Sequence, residues 1–363
     1  MKRRQIFMLV ALAWASPALA VGSETAQAPI RSVLEHTLVD YIRPHYTAFE
    51  QTTLGLETAV ETLCDTPSEA TLAAARDAFR NVAGQWAQVE WLRIGPVMSE
   101  NRLERIYFFP DRKGTGRKQV QAAIAGKDAG VTDAAALAAN SVAMQGLGAL
   151  EYILFGTGSE ELAAGTASHR CGYARAAAAN LATMAGELTE GWREGTQLSR
   201  MFVAPDAQNP LFRTDKEALN LLLGTEIHGL EAIRDTRLGA FLDSSDKHRD
   251  RPKLAPLWRA DMTMGSIIAN LTGLEALFNA STLETAAVDP NNHLGNTIRF
   301  EFTQAIRTAE SLDAPAAELL GDPQRRDKLA YLGYAIRIII DRFDQDFAQA
   351  AGLSTGFSFG DGD

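Results

Sequence analysis

The sequence predicts an all-α chain built as two tandem, four-helix-like bundles. Three observations carry this. Apolar residues recur at helical spacing in nearly every segment, and no run sustains the alternation of a strand. A proline-bearing stretch, FVAPDAQNP (202–210), separates two similar sets of helices. The 363 residues, 46% of them hydrophobic and 22% charged, are enough for two cores. The chain therefore divides into a signal peptide (1–20), an N-terminal bundle (21–205) and a C-terminal bundle (206–363).

The first twenty residues stand apart from the fold. Lys2, Arg3 and Arg4 form a charged start, IFMLVALAWA a short apolar core, and ALA (18–20) a small-x-small cleavage site. This predicts export to the periplasm of a Gram-negative bacterium. No cysteine stands at the cleavage site to carry a lipid anchor.

The helices follow in order. The first covers 31–62. TPSE (66–69) is a capping box in which Thr66 caps, Pro67 takes the first helical position and Glu69 reaches back. Its helix carries Leu72, Phe79, Val82, Trp86 and Val89 and stops at Gly95-Pro96. GPVMSENRLERIYFFPDRKGTGR (95–117) then reads as a long charged and aromatic loop, of the kind that carries function. Helices over 133–155 and 173–198 complete the first half. TDKE (214–217) caps a helix through Leu219, Leu223, Ile227 and Leu230. Helices over 256–280 and 294–312 come next. Asp322-Pro323 opens a last long helix carrying Leu329, Leu332, Ile336 and Ile340. The tail GLSTGFSFGDGD (352–363) is either a frayed end or a strap docked through Phe357 and Phe359.

Charge excludes several functions. The formal net charge is −10, and cleavage after Ala20 removes three cations and no acid. An acidic chain without a basic cluster is a poor binder of nucleic acid or anionic lipid. YLGYAIRIIIDRF (331–343) is broken by Arg337 and Asp341, so no transmembrane segment is expected in the mature chain. Only Cys64 and Cys171 are present. In an exported protein an even, small count favours a disulfide; the alternative is two separate buried thiols.

Candidate chemistry is sparse. HExxH, GxSxG, P-loop and CxxC patterns are all missing, and His36 with Asp40 has no accompanying nucleophile. His228 and Glu231 stand at i and i+3, one helix face, and suit iron, zinc, copper or manganese. Glu226 lies nearby on a different face. Chance alone predicts about 0.7 His-x-x-acid pairs in such a composition, so one pair carries no weight by itself. In the long loop, Arg102, Arg105, Asp111 and Arg112 form a candidate ion-pairing surface, with structural salt bridges as the alternative. GLGALEYILFG (146–156) is the odd segment. Glycine inside a helix costs about 1 kcal/mol relative to alanine, and here Gly146 and Gly148 stand together ahead of Glu151. Ala149-Leu150-Glu151, Gly229-Leu230-Glu231 and Gly273-Leu274-Glu275 echo one another weakly.

Four stretches together resemble the imelysin-like family of bacterial envelope proteins, which includes iron-regulated protein A and is also classed as a peptidase family. They are RIGPVMSENRLERIYFFPDRKG, GLGALEYILFG, LAPLWRADMT (254–263) and the ending GFSFGDGD. The resemblance covers nearly the whole mature chain and implies two helical bundles side by side. It implies a role in iron uptake or an iron response, or a metal-dependent hydrolase. The family hallmark is Gly-x-His-x-x-Glu. Gly146, Gly148 and Glu151 take those positions here, so the histidine is replaced by a residue with no side-chain donor.

The expected function is therefore a non-enzymatic, exported metal- or ligand-binding protein of iron homeostasis. A metallopeptidase and a purely structural or protein-binding scaffold are the alternatives. Expected ligands of iron or another divalent metal are Glu151, His228 and Glu231. Expected ligand-binding positions are Arg102, Arg105, Asp111, Gly146 and Gly148. Expected partners are a metal ion or small ligand and other envelope proteins.

Overall fold

A computed structural model describes residues 24–289 and 291–353. The signal segment 1–20, Phe357 and Phe359 lie outside the described residues. Among those residues every regular element is helical, and no helix is long and apolar enough to cross a membrane.

The first predicted helix is a longer one. α1 (Glu24–His36) passes through a π-helical segment (Thr37–Ile42) into α2 (Arg43–Asp65). Pro44 has no N–H to return one turn back, and the wider turn precedes it. α3 (Glu69–Val89) is capped by Ser68, not Thr66: the Ser68 hydroxyl accepts from the Thr71 amide at 3.1 Å. The long loop contains structure of its own: α4 (Arg102–Ile106), an extended stretch and the start of α5 (Thr115–Gly126).

The helix predicted over 133–155 is broken. It resolves into α6 (Ala134–Ala138), a short 3₁₀ turn and α7 (Gly146–Phe155). α8 (Ser168–Gly191) and α9 (Gln197–Val203) complete the first half. α10 (Asp215–Glu231) is capped by Thr214, as TDKE predicts, and runs into a second π-helical segment, Ala232–Leu238. α11 (Thr263–Ala280), α12 (His293–Glu310), α13 (Ala316–Gly321) and α14 (Pro323–Asp341) follow, the last capped by Asp322.

α2 packs along α3 and α8, and α7 lies against α3 and α8. Phe49 and Trp86 meet there at 5.3 Å between ring centres. In the second half α12 packs against α11 and α14, where Phe343 lies edge-on to Phe278 at 5.5 Å. A disulfide joins Cys64, at the end of α2, to Cys171, in the first turn of α8, with Cα atoms 5.7 Å apart.

The halves meet along α3 and α11, and the buried apolar side chains form one continuous cluster. A Cβ at Gly273 would fall 2.1 Å from the Gln88 carbonyl oxygen, so glycine is what allows this approach. A buried polar junction closes it. Glu90 accepts from Asn270 Nδ2 at 2.7 Å and from the Arg237 guanidinium. Arg237 in turn sits over the rings of Phe109, Tyr107 and Trp91 at 4.6, 5.0 and 5.3 Å.

Glu226, on α10, is fully buried, and among the described residues neither carboxyl oxygen has a hydrogen-bond partner. Burial raises its pKa well above the usual carboxylate range. The unfolded chain releases this proton at lower pH than the folded chain does. Between those two values the folded state binds more protons, so stability falls as pH rises. Glu226→Gln, which cannot ionise, is expected to gain stability relative to the parent as pH climbs from about 5 to 8. Thermal melts across that range check this; parallel curves for the two proteins would refute it.

Candidate functional site

Two clefts flank Phe109 and Pro110, which line both. The first, of about 530 Å³, opens over Gly148; the second, of about 580 Å³, holds His228 and Glu231.

Gly146 sets the geometry of the first. Its φ is +58°, and a Cβ there would fall 2.2 Å from the carbonyl oxygens of Arg105 and Ile106. Only glycine lets α7 begin against the end of α4. Gly148 is different: among the described residues a Cβ at that position meets nothing within 4 Å. It lines the cleft, and no packing demands its small size.

One turn on, Glu151 is 7% exposed. Its Oε1 accepts from the Arg259 amide at 2.8 Å, and its Oε2 lies 3.7 Å from Arg259 Nη1. Burial raises the Glu151 pKa; the Arg259 charge and the amides of Arg259 and Ala260 oppose the rise. Arg259 stacks on Trp258 at 4.3 Å and approaches Tyr152 at 5.5 Å. The turn that presents it, Trp258–Ala260, lies between Leu257 and Asp261, whose φ values are +49° and +55°. Left-handed backbone costs a non-glycine residue about 1–2 kcal/mol. Strain is thus stored on both sides of the amide that holds Glu151.

Asp111 faces the same cleft but is already engaged, accepting from the amides of Thr115 at 2.6 Å and Gly116 at 2.9 Å at the start of α5. The rest of the charged lining is basic: Arg112, Lys113, Arg117, Arg251 and Lys253 join Arg259. Arg102 and Arg105 line neither cleft. Arg102 donates to Glu187 at 2.7 Å and Arg105 to Gln145 at 3.0 Å, tying α4 to its surroundings.

In the second cleft His228 Nδ1 lies 3.2 Å from Glu231 Oε2, so the i, i+3 pair is a real contact. Trp91, Arg93, Asp235 and Arg237 share this cleft, and Glu151 does not. The structure thus brings His228 to Glu231 and sets Glu151 in the other cleft. Among the described residues no three His, Cys, Asp or Glu side chains converge as metal ligands. The donor set over Gly148 does not fit a bare divalent cation either: its two carboxylates are occupied and its other charges are positive. His36 and Asp40 form an exposed pair at 2.7 Å.

Sequence reasoning missed Arg117, Arg251, Lys253, Trp258 and Arg259 as cleft residues. The available signal was the WRAD segment of LAPLWRADMT, already notable as a motif and here the wall opposite Glu151.

Comparison with known proteins agrees with this architecture. The imelysin family model matches residues 42–340. An imelysin-like protein from Psychrobacter arcticum 273-4 superposes with a TM-score of 0.76 at 19% identity, covering 91% of this chain and 98% of that one. An iron-regulated protein A precursor from Parabacteroides distasonis ATCC 8503 gives 0.64 at 17% identity, with 89% and 97% covered. At such identities the likeness shows a shared fold. No curated protein matches the chain significantly. With the family model spanning most of the sequence, the chain belongs to the imelysin family.

Proposed function

We propose that this chain is a non-enzymatic binding protein of the bacterial envelope, linked to iron uptake or homeostasis, whose ligand occupies the cleft over Gly148. The observation that carries the reading is the open volume at Gly148, walled by aromatic and charged side chains, at a position where the family hallmark implies histidine. A cleft of about 530 Å³ is of the size that small ligands use. The name of the P. distasonis neighbour supports the link to iron.

Hydrolysis is disfavoured by what holds Glu151. A general base must reach a proton on its substrate or water, and this carboxylate already accepts from the Arg259 amide. The metal reading rests on His228 and Glu231, two donors in the second cleft.

Gly148→Leu tests the proposal, because its Cβ has room and the rest of the side chain fills the cleft. In a thermal-shift screen of small molecules, stabilising compounds are expected to lose their effect in this variant while its own melting temperature stays close to the parent's. Compounds indifferent to Gly148→Leu would count against the cleft. Chelator-sensitive cleavage of a denatured protein, lost in Glu151→Gln, would establish the peptidase instead. Zinc or iron(II) binding that weakens about tenfold or more in His228→Ala would place a metal in the second cleft.

A further inference from the structure

We propose that the cleft over Gly148 selects a small polyanion with a planar apolar body. This rests on the reading above that the cleft is the binding site, and it adds the chemical class of the ligand.

The charge distribution is the starting point. The chain carries a formal net charge of −10, yet six cations line this one cleft against two carboxylates. Both carboxylates are spoken for. Asp111 caps α5, and Glu151 is held by Arg259. Among the described residues, Arg112, Lys113, Arg117, Arg251 and Lys253 form no salt bridge. Arg117 adds to the burial that lowers the Arg259 pKa, so these two like charges repel each other as they stand. An anion between them would relieve that repulsion, and guanidinium groups bind carboxylates in a forked, two-bond geometry.

The size of the anion follows from screening. At physiological ionic strength charges act over about 8 Å. A small anion inside the cleft feels mainly its lining. A nucleic acid or an anionic membrane extends beyond the lining and also meets the net negative charge of the rest of the chain, which repels it. The apolar body follows from the walls: Tyr107, Phe108, Phe109, Tyr152 and Trp258 all face this volume. Trp258 already stacks with Arg259, leaving a layered aromatic and cationic wall that suits a flat partner.

A bare divalent cation would face the same six positive charges and be excluded. Iron enclosed by a polycarboxylate is itself an anion and would not be. Free polyanion and anionic ferric complex share one recognition chemistry, and the experiment separates them.

Calorimetry at low salt with the full mature chain would compare trimellitate (a benzene tricarboxylate), citrate, ferric citrate and phenyltrimethylammonium. Trimellitate and citrate are expected to bind and the ammonium ion is not. Trimellitate is expected to bind more tightly than citrate, and equal affinities would overturn the planar body. Tighter binding of ferric citrate than of citrate would identify the complex as cargo; the reverse would identify the free anion. Arg117→Glu and Lys253→Glu, both at exposed positions, are expected to weaken trimellitate about tenfold or more without lowering the melting temperature. If neither anion binds while neutral or cationic compounds bind and are lost in Gly148→Leu, the polyanion is wrong and the cleft reading stands. If the anions bind unaffected by Gly148→Leu and by both charge reversals, their site lies elsewhere and the cleft reading fails with it.

Discussion

Removing the Cys64–Cys171 bridge is expected to destabilise the folded chain by about 4–5 kcal/mol. The bonded residues are 107 apart in sequence, so the bridge closes a long loop and removes much of the freedom of the unfolded chain. That loop contains α3 to α7, and with them Gly148, Glu151 and the basic segment 111–117. Loss of the bridge leaves α2 packed on α8 but frees the unfolded ensemble. Paired Cys64→Ala and Cys171→Ala substitutions, compared with the parent in urea, measure the difference. Coincident unfolding midpoints would show that the bridge contributes nothing.

Arg237→Ala is expected to cost about 3–5 kcal/mol, the usual result of stranding one member of a buried ion pair. Glu90 and Arg237 have side chains only 7% and 6% exposed, and Arg237 also loses its contacts with Trp91, Tyr107 and Phe109. The charge is the larger part of the loss. Glu90→Gln keeps an acceptor for Asn270 and removes the stranded carboxylate. Combined with Arg237→Met it is therefore expected to recover most of the stability that Arg237→Ala loses. A double variant no more stable than Arg237→Ala would show instead that the guanidinium's packing dominates.

Much of the fold was legible because it rests on local rules. Apolar spacing marked the helices, Thr214 and Asp322 cap where their sequences say, and two cysteines in a chain read as exported are joined. The errors are local too. Ser68 caps in place of Thr66, since either hydroxyl precedes a helix and only the backbone decides between them. The helix over 133–155 is interrupted after Ala138 and restarts at Gly146, which takes a positive φ against the end of α4. A tertiary contact of this kind leaves no periodic signal.

The candidate site was legible only in fragments. GLGALEYILFG marked the floor of the cleft, and Asp111 and Arg112 marked one wall. Arg259 stands in the LAPLWRADMT motif, but nothing in the sequence marks it, or Arg251 and Lys253 just before it, as facing Glu151 across a cleft. Arg102 and Arg105 share the composition of the cleft-lining arginines and serve instead to anchor α4. Spacing showed that His228 and Glu231 share a face; it could not show that Glu151 belongs to the other cleft.

That the cleft over Gly148 holds the ligand is tested most directly by a crystal structure of the chain purified from its native organism. Density is expected between Gly148, Arg117 and Trp258, with its charged groups toward the basic lining. A ligand or metal bound by His228 and Glu231, with the first cleft holding only water, would contradict it.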